Sequence, residues 1–96
     1  MKPRRRPEIA WRVIDGEAVV VNPRTGLVYP FNPVAARFWE LADGARTLDQ
    51  IVAAVCEEFD APQPQVSDDL NTFVEMLLDK GLLEPMEIAA VSTEGS

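Results

Sequence analysis

The chain has 96 residues, of which 47% are hydrophobic, and it carries a formal net charge of −7 with one cysteine and no histidine. This length allows one small domain, and the composition excludes a disordered chain, a disulfide-bonded framework and an ordinary structural zinc site. No stretch reaches the roughly 18 to 20 apolar residues of a membrane-spanning helix, and no signal-peptide core follows the basic start, so a cytoplasmic protein is the simplest interpretation.

The charge is divided unevenly along the chain. Residues 1–48 hold eight basic and five acidic residues, whereas residues 49–96 hold one and eleven. The carboxyl half should therefore repel phosphates and attract basic partners. The start, KPRRRP, predicts a basic flexible tail over residues 1–8, with an electrostatic contact to a partner as the alternative.

Residues 9–31 carry the signals of three strands, near residues 10–14, 17–22 and 27–31. The turn between the first two is Asp15-Gly16, a pair that tolerates positive φ and suits a type I′ hairpin. The segment PRTG forms the second turn. The pattern predicts an antiparallel meander whose third strand, LVYPF, contains one strand breaker, Pro30.

Three helices are predicted after the strands. Asn32 and Pro33 are favoured at the cap and first position of a helix, and Gly44 is placed to end it. Thr47 and Gln50 fit a capping box at the start of the second helix. The third helix is predicted from about residue 64 to residue 80.

Three strands followed by three helices predict an α+β fold in which the helices pack on one face of the sheet. The last two helices, joined by a short turn, resemble a helix-turn-helix pair, so the predicted architecture is winged-helix-turn-helix-like. We assign residues 9–85 to this domain and residues 86–96 to a flexible carboxyl-terminal tail.

Catalytic chemistry has little support in the sequence. There is no histidine for general acid–base catalysis, no glycine-rich phosphate loop and no expected cofactor or metal. Cys56 lies four residues after Val52 on the apolar face of the second helix and is interpreted as a core thiol. The sequence therefore predicts a protein that is not an enzyme on its own.

Charge also argues against DNA binding, the usual function of a helix-turn-helix. The third helix carries four acidic residues against Lys80 alone, and affinity for DNA depends largely on neutralising phosphates. A winged-helix transcriptional adaptor that binds DNA or a DNA-bound protein remains the alternative function. Steeply salt-dependent binding to heparin or duplex DNA would favour it.

Two features instead predict a surface that binds a peptide. The apolar arc of the third helix spans about 200°, roughly twice what a simple amphipathic helix needs, so one flank is free to line a groove. The third strand is an edge of the sheet, and an exposed edge accepts an extended peptide as an added strand. The alternative is an edge covered by the chain's own tail or by a second copy.

The segments DGEAVVVNPRTGLVYPFNPVAARFWELADGARTLDQIV and DDLNTFVEMLLDKGLLE resemble the PqqD-like family. The resemblance covers about residues 9–85. It implies a non-catalytic peptide chaperone that binds the leader segment of a ribosomally made precursor peptide. The chaperone presents the peptide to a modifying enzyme, often a radical SAM enzyme, as in pyrroloquinoline quinone biosynthesis or related natural-product pathways.

The resemblance also implies where the leader binds. In the family the leader adds to the third strand and lies in the cleft between that strand and the third helix. The matching positions here are Leu27, Val28, Tyr29, Pro30 and Phe31 on the strand and Asp69, Leu70, Phe73, Val74 and Leu77 on the helix. Pro30 departs from the family pattern, which usually has a residue with an N–H in that position.

The predicted partners are thus a leader peptide and a modifying enzyme, without nucleic acid or membrane. The middle strand is apolar on both faces, so a homodimer or an enzyme contact could use the uncovered face.

The periodicities give two further expectations. Seven apolar residues should be largely buried: Phe38, Trp39, Val55, Phe59, Leu70, Phe73 and Leu77. Pro30 should point its nitrogen away from the sheet, together with Val28, since an edge tolerates a missing donor only there.

Overall fold

The structure, a computed structural model, describes residues 2–84. Three strands, β1 (Ala10–Ile14), β2 (Glu17–Asn22) and β3 (Leu27–Phe31), form an antiparallel sheet in the order β1-β2-β3. Three helices follow: α1 (Pro33–Leu41), α2 (Leu48–Phe59) and α3 (Gln63–Asp79). The predicted fold class and all three strand ranges are confirmed. Residue 85 and the predicted tail over residues 86–96 lie outside the described residues.

The two turns of the sheet have the backbone that their sequences predict. Asp15 and Gly16 have φ of 53° and 82°, as a type I′ turn requires at both central positions. In the β2–β3 turn the carbonyl of Asn22 accepts a hydrogen bond from the N–H of Gly26 at 2.8 Å. The side-chain Oδ1 of Asn22 accepts a second bond from the N–H of Arg24 at 2.9 Å.

The predicted helix starts are also present. The Asn32 side chain accepts a hydrogen bond from the N–H of Ala35 at 2.8 Å, and Thr47 with Gln50 forms the capping box of α2. The prediction that Gly44 ends α1 is wrong. The cap of α1 is Ala42, and Gly44 instead donates its N–H to the carbonyl of Pro3 at 2.9 Å.

Helix α1 lies at the centre of the molecule. It contacts β2 and β3 on one side and α2 and α3 on the other. Its Phe38 and Trp39 are fully buried, as are Val20 of β2 and Leu77 of α3. The core is therefore one layer between the sheet and the α2–α3 pair, and within residues 2–84 no helix covers the other face of the sheet.

Three expected core residues are less buried than predicted. Phe59, Cys56 and Phe73 are half-buried, although all three pack against the core. Helical spacing gave their direction correctly, but no neighbouring element covers their outer sides. The Phe73 ring is thus partly at the surface, beside Phe31 of β3.

The amino-terminal segment is not a free tail over its described part. The N–H of Arg5 donates to the carbonyl of Ala42 at 3.0 Å, and the N–H of Glu84 donates to the carbonyl of Arg4 at 2.8 Å. Pro3 is buried. The prediction of a flexible tail was wrong here, because the backbone of this segment pairs with two other segments while its charged side chains reach the surface.

Candidate functional site

The sheet register determines which backbone groups of β3 are free. Ile14 pairs with Glu17 across a two-residue turn, so these two residues exchange hydrogen bonds, and such pairs alternate along an antiparallel ladder. The backbone of Ala18, Val20 and Asn22 therefore faces β3. Their partners are Phe31, Tyr29 and Leu27, in that order.

It follows that Val28 and Pro30 direct their backbone groups away from the sheet. Val28 lies opposite Val21, and Pro30 lies opposite Val19. The register thus agrees with the predicted parity. The open edge offers the N–H and C=O of Val28 and the C=O of Pro30, and the Val28 side chain is 56% exposed.

Helix α3 runs beside β3 in the opposite direction. Near the end of β3, the rings of Phe31 and Phe73 meet edge to face with centroids 5.0 Å apart. Near its start, the side chain of Asn22 donates to the carbonyl of Lys80 at 3.4 Å. These two contacts place α3 beside β3 on the core side of the sheet.

We call the space between β3 and α3 the groove. A cleft of about 350 Å³ lies at its Phe73 end. Most of its wall is apolar, and Asp69 is the only charged side chain among the residues that form it. The first turn of α1, the α2–α3 loop and the first half of α3 supply the lining, which consists of Asn32, Val34, Ala35, Ala61, Gln65, Val66, Asp69, Leu70 and Phe73.

The structure separates the predicted helix residues into two groups. Asp69, Leu70 and Phe73 line the cleft. Val74 and Leu77 are 3% and 0% exposed and belong to the core. These last two residues therefore hold α3 in place and do not present a side chain to a peptide.

The cleft lies on one flank of α3. Phe73 and Asp69 line it on the side of the helix away from Val74, which is buried. The groove side of α3 thus carries Phe73 together with the exposed carboxylate of Asp69. It is apolar at its centre and acidic at its margin.

Several residues of this site are not apparent from the sequence. Val34 and Ala35 look like ordinary core positions, because their helical spacing does not show that the first turn of α1 borders an opening. Asn22 looks like a turn residue, but its buried side chain also connects β2 to the end of α3. The Asn22-Pro23 pair indicates a turn in the sequence, but it does not indicate the contact with α3.

The described residues show neither a metal site nor a spanning segment. Among residues 2–84, no group of three or more His, Cys, Asp or Glu side chains could hold a metal ion. No helix in the same range is long and apolar enough to cross a bilayer.

Comparison with known proteins identifies the family to which this fold and groove belong. The profile of the family described as coenzyme PQQ synthesis protein D (PqqD) matches residues 17–83. A PqqA binding protein of Rhizobium meliloti (strain 1021) is 32% identical over 71 residues, which are 74% of this chain and 70% of that protein. The chain belongs to the PqqD family.

Two solved structures show the same fold. TbiB1, in complex with the TbiA(beta) leader peptide, is 30% identical and superposes with a TM-score of 0.78 over 86% of this chain and 96% of its own. The PqqD part of Methylobacterium extorquens PqqCD, a stand-alone recognition element for ribosomally synthesised and modified peptides, has a TM-score of 0.71 at 22% identity. That match covers 86% of this chain and 88% of the other.

Proposed function

We propose that this protein binds the leader segment of a ribosomally made precursor peptide as a fourth strand on β3 and presents the peptide to a separate modifying enzyme. The observation that carries the proposal is the open edge at Val28 beside α3, with an apolar cleft at its end. The PqqA binding protein and the leader-bound TbiB1 support the same ligand class. A chaperone of this kind works in the cytoplasm, where its peptide is made.

The proposal assigns no chemistry to the protein itself. Its role is to bind and orient the peptide, while a modifying enzyme such as a radical SAM maturase alters it. The uncovered face of the sheet, with Ile14, Val19 and Val28 exposed, offers an apolar contact for that enzyme or for a second copy. The mass of the peptide should be unchanged after incubation with this protein alone, and a mass change would contradict the non-catalytic role.

Binding is tested by calorimetric titration with the short precursor peptide encoded beside the gene. We expect a dissociation constant of about 1 μM or somewhat below, since a strand-plus-groove contact is a small interface. The absence of heat and of any spectral change up to several hundred micromolar peptide would contradict the proposal.

A pair of proline variants tests the docking edge. Val28→Pro removes the last outward N–H of β3, whereas Val13→Pro removes an outward N–H from the opposite edge, β1, by the same register argument. Val28→Pro should weaken leader binding about 2- to 13-fold, the value of one hydrogen bond, and Val13→Pro should leave the affinity unchanged. Equal losses in the two variants would indicate a general loss of structure, and an unaffected Val28→Pro would exclude pairing at this edge.

A further inference from the structure

The three consecutive arginines near the amino terminus line a second cleft. This cleft has a volume of about 300 Å³ and lies between the amino-terminal segment, the start of β1 and the residues after α1. We call it the Arg4–Arg6 cleft. Trp11, 39% exposed, forms part of its wall. The backbone of this segment is hydrogen-bonded to Ala42, Leu82 and Glu84, so the three side chains start from fixed backbone positions.

The arginines differ in how far the fold already uses their charge. Arg5 donates from Nη1 to the carbonyls of Trp39 and Glu40 at 2.6 Å and 2.9 Å, at the end of α1. Its guanidinium also lies 4.9 Å from the centre of the Trp11 ring. Burial lowers the pKa of Arg5 from its ordinary value, against the opposing effect of two nearby carboxylates. Arg5 is therefore a structural cation.

Arg4 and Arg6 have weaker partners. Arg4 approaches Glu84 at 3.9 Å and its side chain is 65% exposed, whereas Arg6 approaches Glu8 at 4.0 Å and donates from Nε to the carbonyl of Leu83 at 3.2 Å. Exposed ion pairs at such distances contribute little to stability. The Arg4 guanidinium and the Nη groups of Arg6 are thus available to bind a ligand.

The acidic residue of this cleft is already paired. Asp43 accepts a hydrogen bond from the N–H of Ala45 at 3.0 Å and one from Arg46 at 2.8 Å. The bond from Ala45 is the main cause that holds the pKa of Asp43 below its ordinary value. The charged residues that line the cleft are three arginines and this one paired carboxylate, which gives the cleft a net positive charge beside an exposed indole.

We propose that the Arg4–Arg6 cleft binds an acidic segment of a partner protein. Arginine pairs with carboxylates through two parallel hydrogen bonds, and exposed tryptophan and arginine are the residue types that most often anchor protein interfaces. Nucleic acid suits the site poorly, because the chain has a net charge of −7. The negative charge of an acidic segment complements the positive charge of the arginines in the cleft.

A ligand in the Arg4–Arg6 cleft would leave the groove between β3 and α3 free. The Arg4–Arg6 cleft borders the end of α1, whereas the apolar cleft borders its first turn, and a helix of nine residues separates the two by about 13 Å. The two clefts also lie toward opposite edges of the sheet. Both ligands can therefore be held at once. The proposal stands on the arginines and does not require that the groove binds a leader.

The test uses an acetylated octapeptide of alternating glutamate and glycine and, as its neutral twin, the same peptide with glutamine. In 50 mM salt, titration followed by two-dimensional NMR should shift the amides of residues 4–6 and the indole N–H of Trp11. The acidic peptide should bind at least tenfold more tightly than the glutamine peptide. Arg4→Gln combined with Arg6→Gln should weaken binding at least tenfold.

Arg12→Gln combined with Arg24→Gln is the matched control. It removes the same charge from exposed positions outside the cleft and should leave binding within about twofold. Equal losses in the two double variants, or shifts confined to β3 and α3, would overturn the proposal. So would tighter binding of duplex DNA or inorganic phosphate than of the acidic peptide at equal salt. The shifts in the wild-type protein decide the matter even if a variant does not fold.

Discussion

The missing N–H of Pro30 lies on the open edge of β3, where an added strand would pair. Pro30 sits opposite Val19 in a pair that exchanges no hydrogen bonds, so the sheet itself loses nothing. The missing N–H instead weakens pairing with an added strand, because the edge has one hydrogen-bond donor fewer. An edge proline also makes the strand a poorer template for association with other copies.

Restoring that donor should tighten leader binding. In Pro30→Val the edge gains one N–H, worth about 0.5 to 1.5 kcal/mol of contact, so the dissociation constant should fall about 2- to 13-fold. Calorimetry measures the change, and Pro23→Val in the β2–β3 turn controls for the loss of a proline. A dissociation constant that does not change would show that the leader does not pair at this position.

Phe73 should contribute less to stability than its position on the helical arc suggests. It is half-buried and meets Phe31 and Phe38 edge to face, with centroids 5.0 Å and 5.6 Å apart. Phe38→Ala should cost about 3 to 5 kcal/mol of unfolding free energy, and Phe73→Ala about 2 to 3 kcal/mol. Urea denaturation checks both values.

Peptide affinity separates the role of Phe73 in the groove from its role in packing. Phe59→Ala removes another half-buried ring, from α2, and should not change leader binding. Phe73→Ala should weaken leader binding at least tenfold, since it removes a wall of the cleft. Equal affinities of the two variants for the leader would place Phe73 outside the binding site.

At the scale of elements, α1 depends on a residue far away in the sequence. Its final carbonyls receive Nη1 of Arg5, which lies 34 residues before Trp39 in the chain. A helix leaves its last carbonyls without partners, and a cation near them is favourable. Arg5 therefore supplies side-chain hydrogen bonds to the last carbonyls of α1, beside its cap residue Ala42.

Removing the hydrogen bonds from Arg5 to α1 should destabilise the domain measurably. Arg5→Gln should lower the free energy of unfolding by about 1 to 2 kcal/mol, because charge-assisted bonds to partly buried carbonyls are lost. Arg24→Gln, at an exposed turn position, should change it by less than about 0.5 kcal/mol. Thermal or urea unfolding measures both. If the two variants were equally stable, residues 3–6 would not hold α1 in solution.

The elements that the sequence predicted are those with local signals. Asp15-Gly16, Asn32-Pro33 and the Thr47–Gln50 box each specify a turn or a helix start within four residues, and all three are present. The pairing of Arg5 with Leu83 joins residues that are far apart in sequence, and no local pattern announces it. Local sequence patterns therefore could not predict this long-range pairing.

The groove shows the same division between local and tertiary information. Register and alternation predicted the free edge at Val28, because they follow from the turn alone. The helical wheel placed Phe73 and Val74 on adjacent parts of one arc but could not tell which of them a neighbouring element covers. Packing of the helices buries Val74 and leaves Phe73 beside β3.

At the scale of the whole molecule, the open face of the sheet limits self-association. Three strands of five or six residues cover roughly 17 by 14 Å, or about 240 Å² in projection. A stable interface usually buries about 800 Å² on each partner. The apolar face is thus suited to a weak contact, or to one part of a larger interface with an enzyme.

The protein should therefore be a monomer when it is alone. At about 10 μM, light scattering after gel filtration should give a mass near 10.6 kDa, because pairing through the open face buries too little surface to persist at that concentration. A variant with Val19→Lys should elute at the same position, since it alters only a contact that is rarely formed. A mass twice as large that returns to the smaller value in Val19→Lys would show that the open face joins two copies and that its area alone understates the contact.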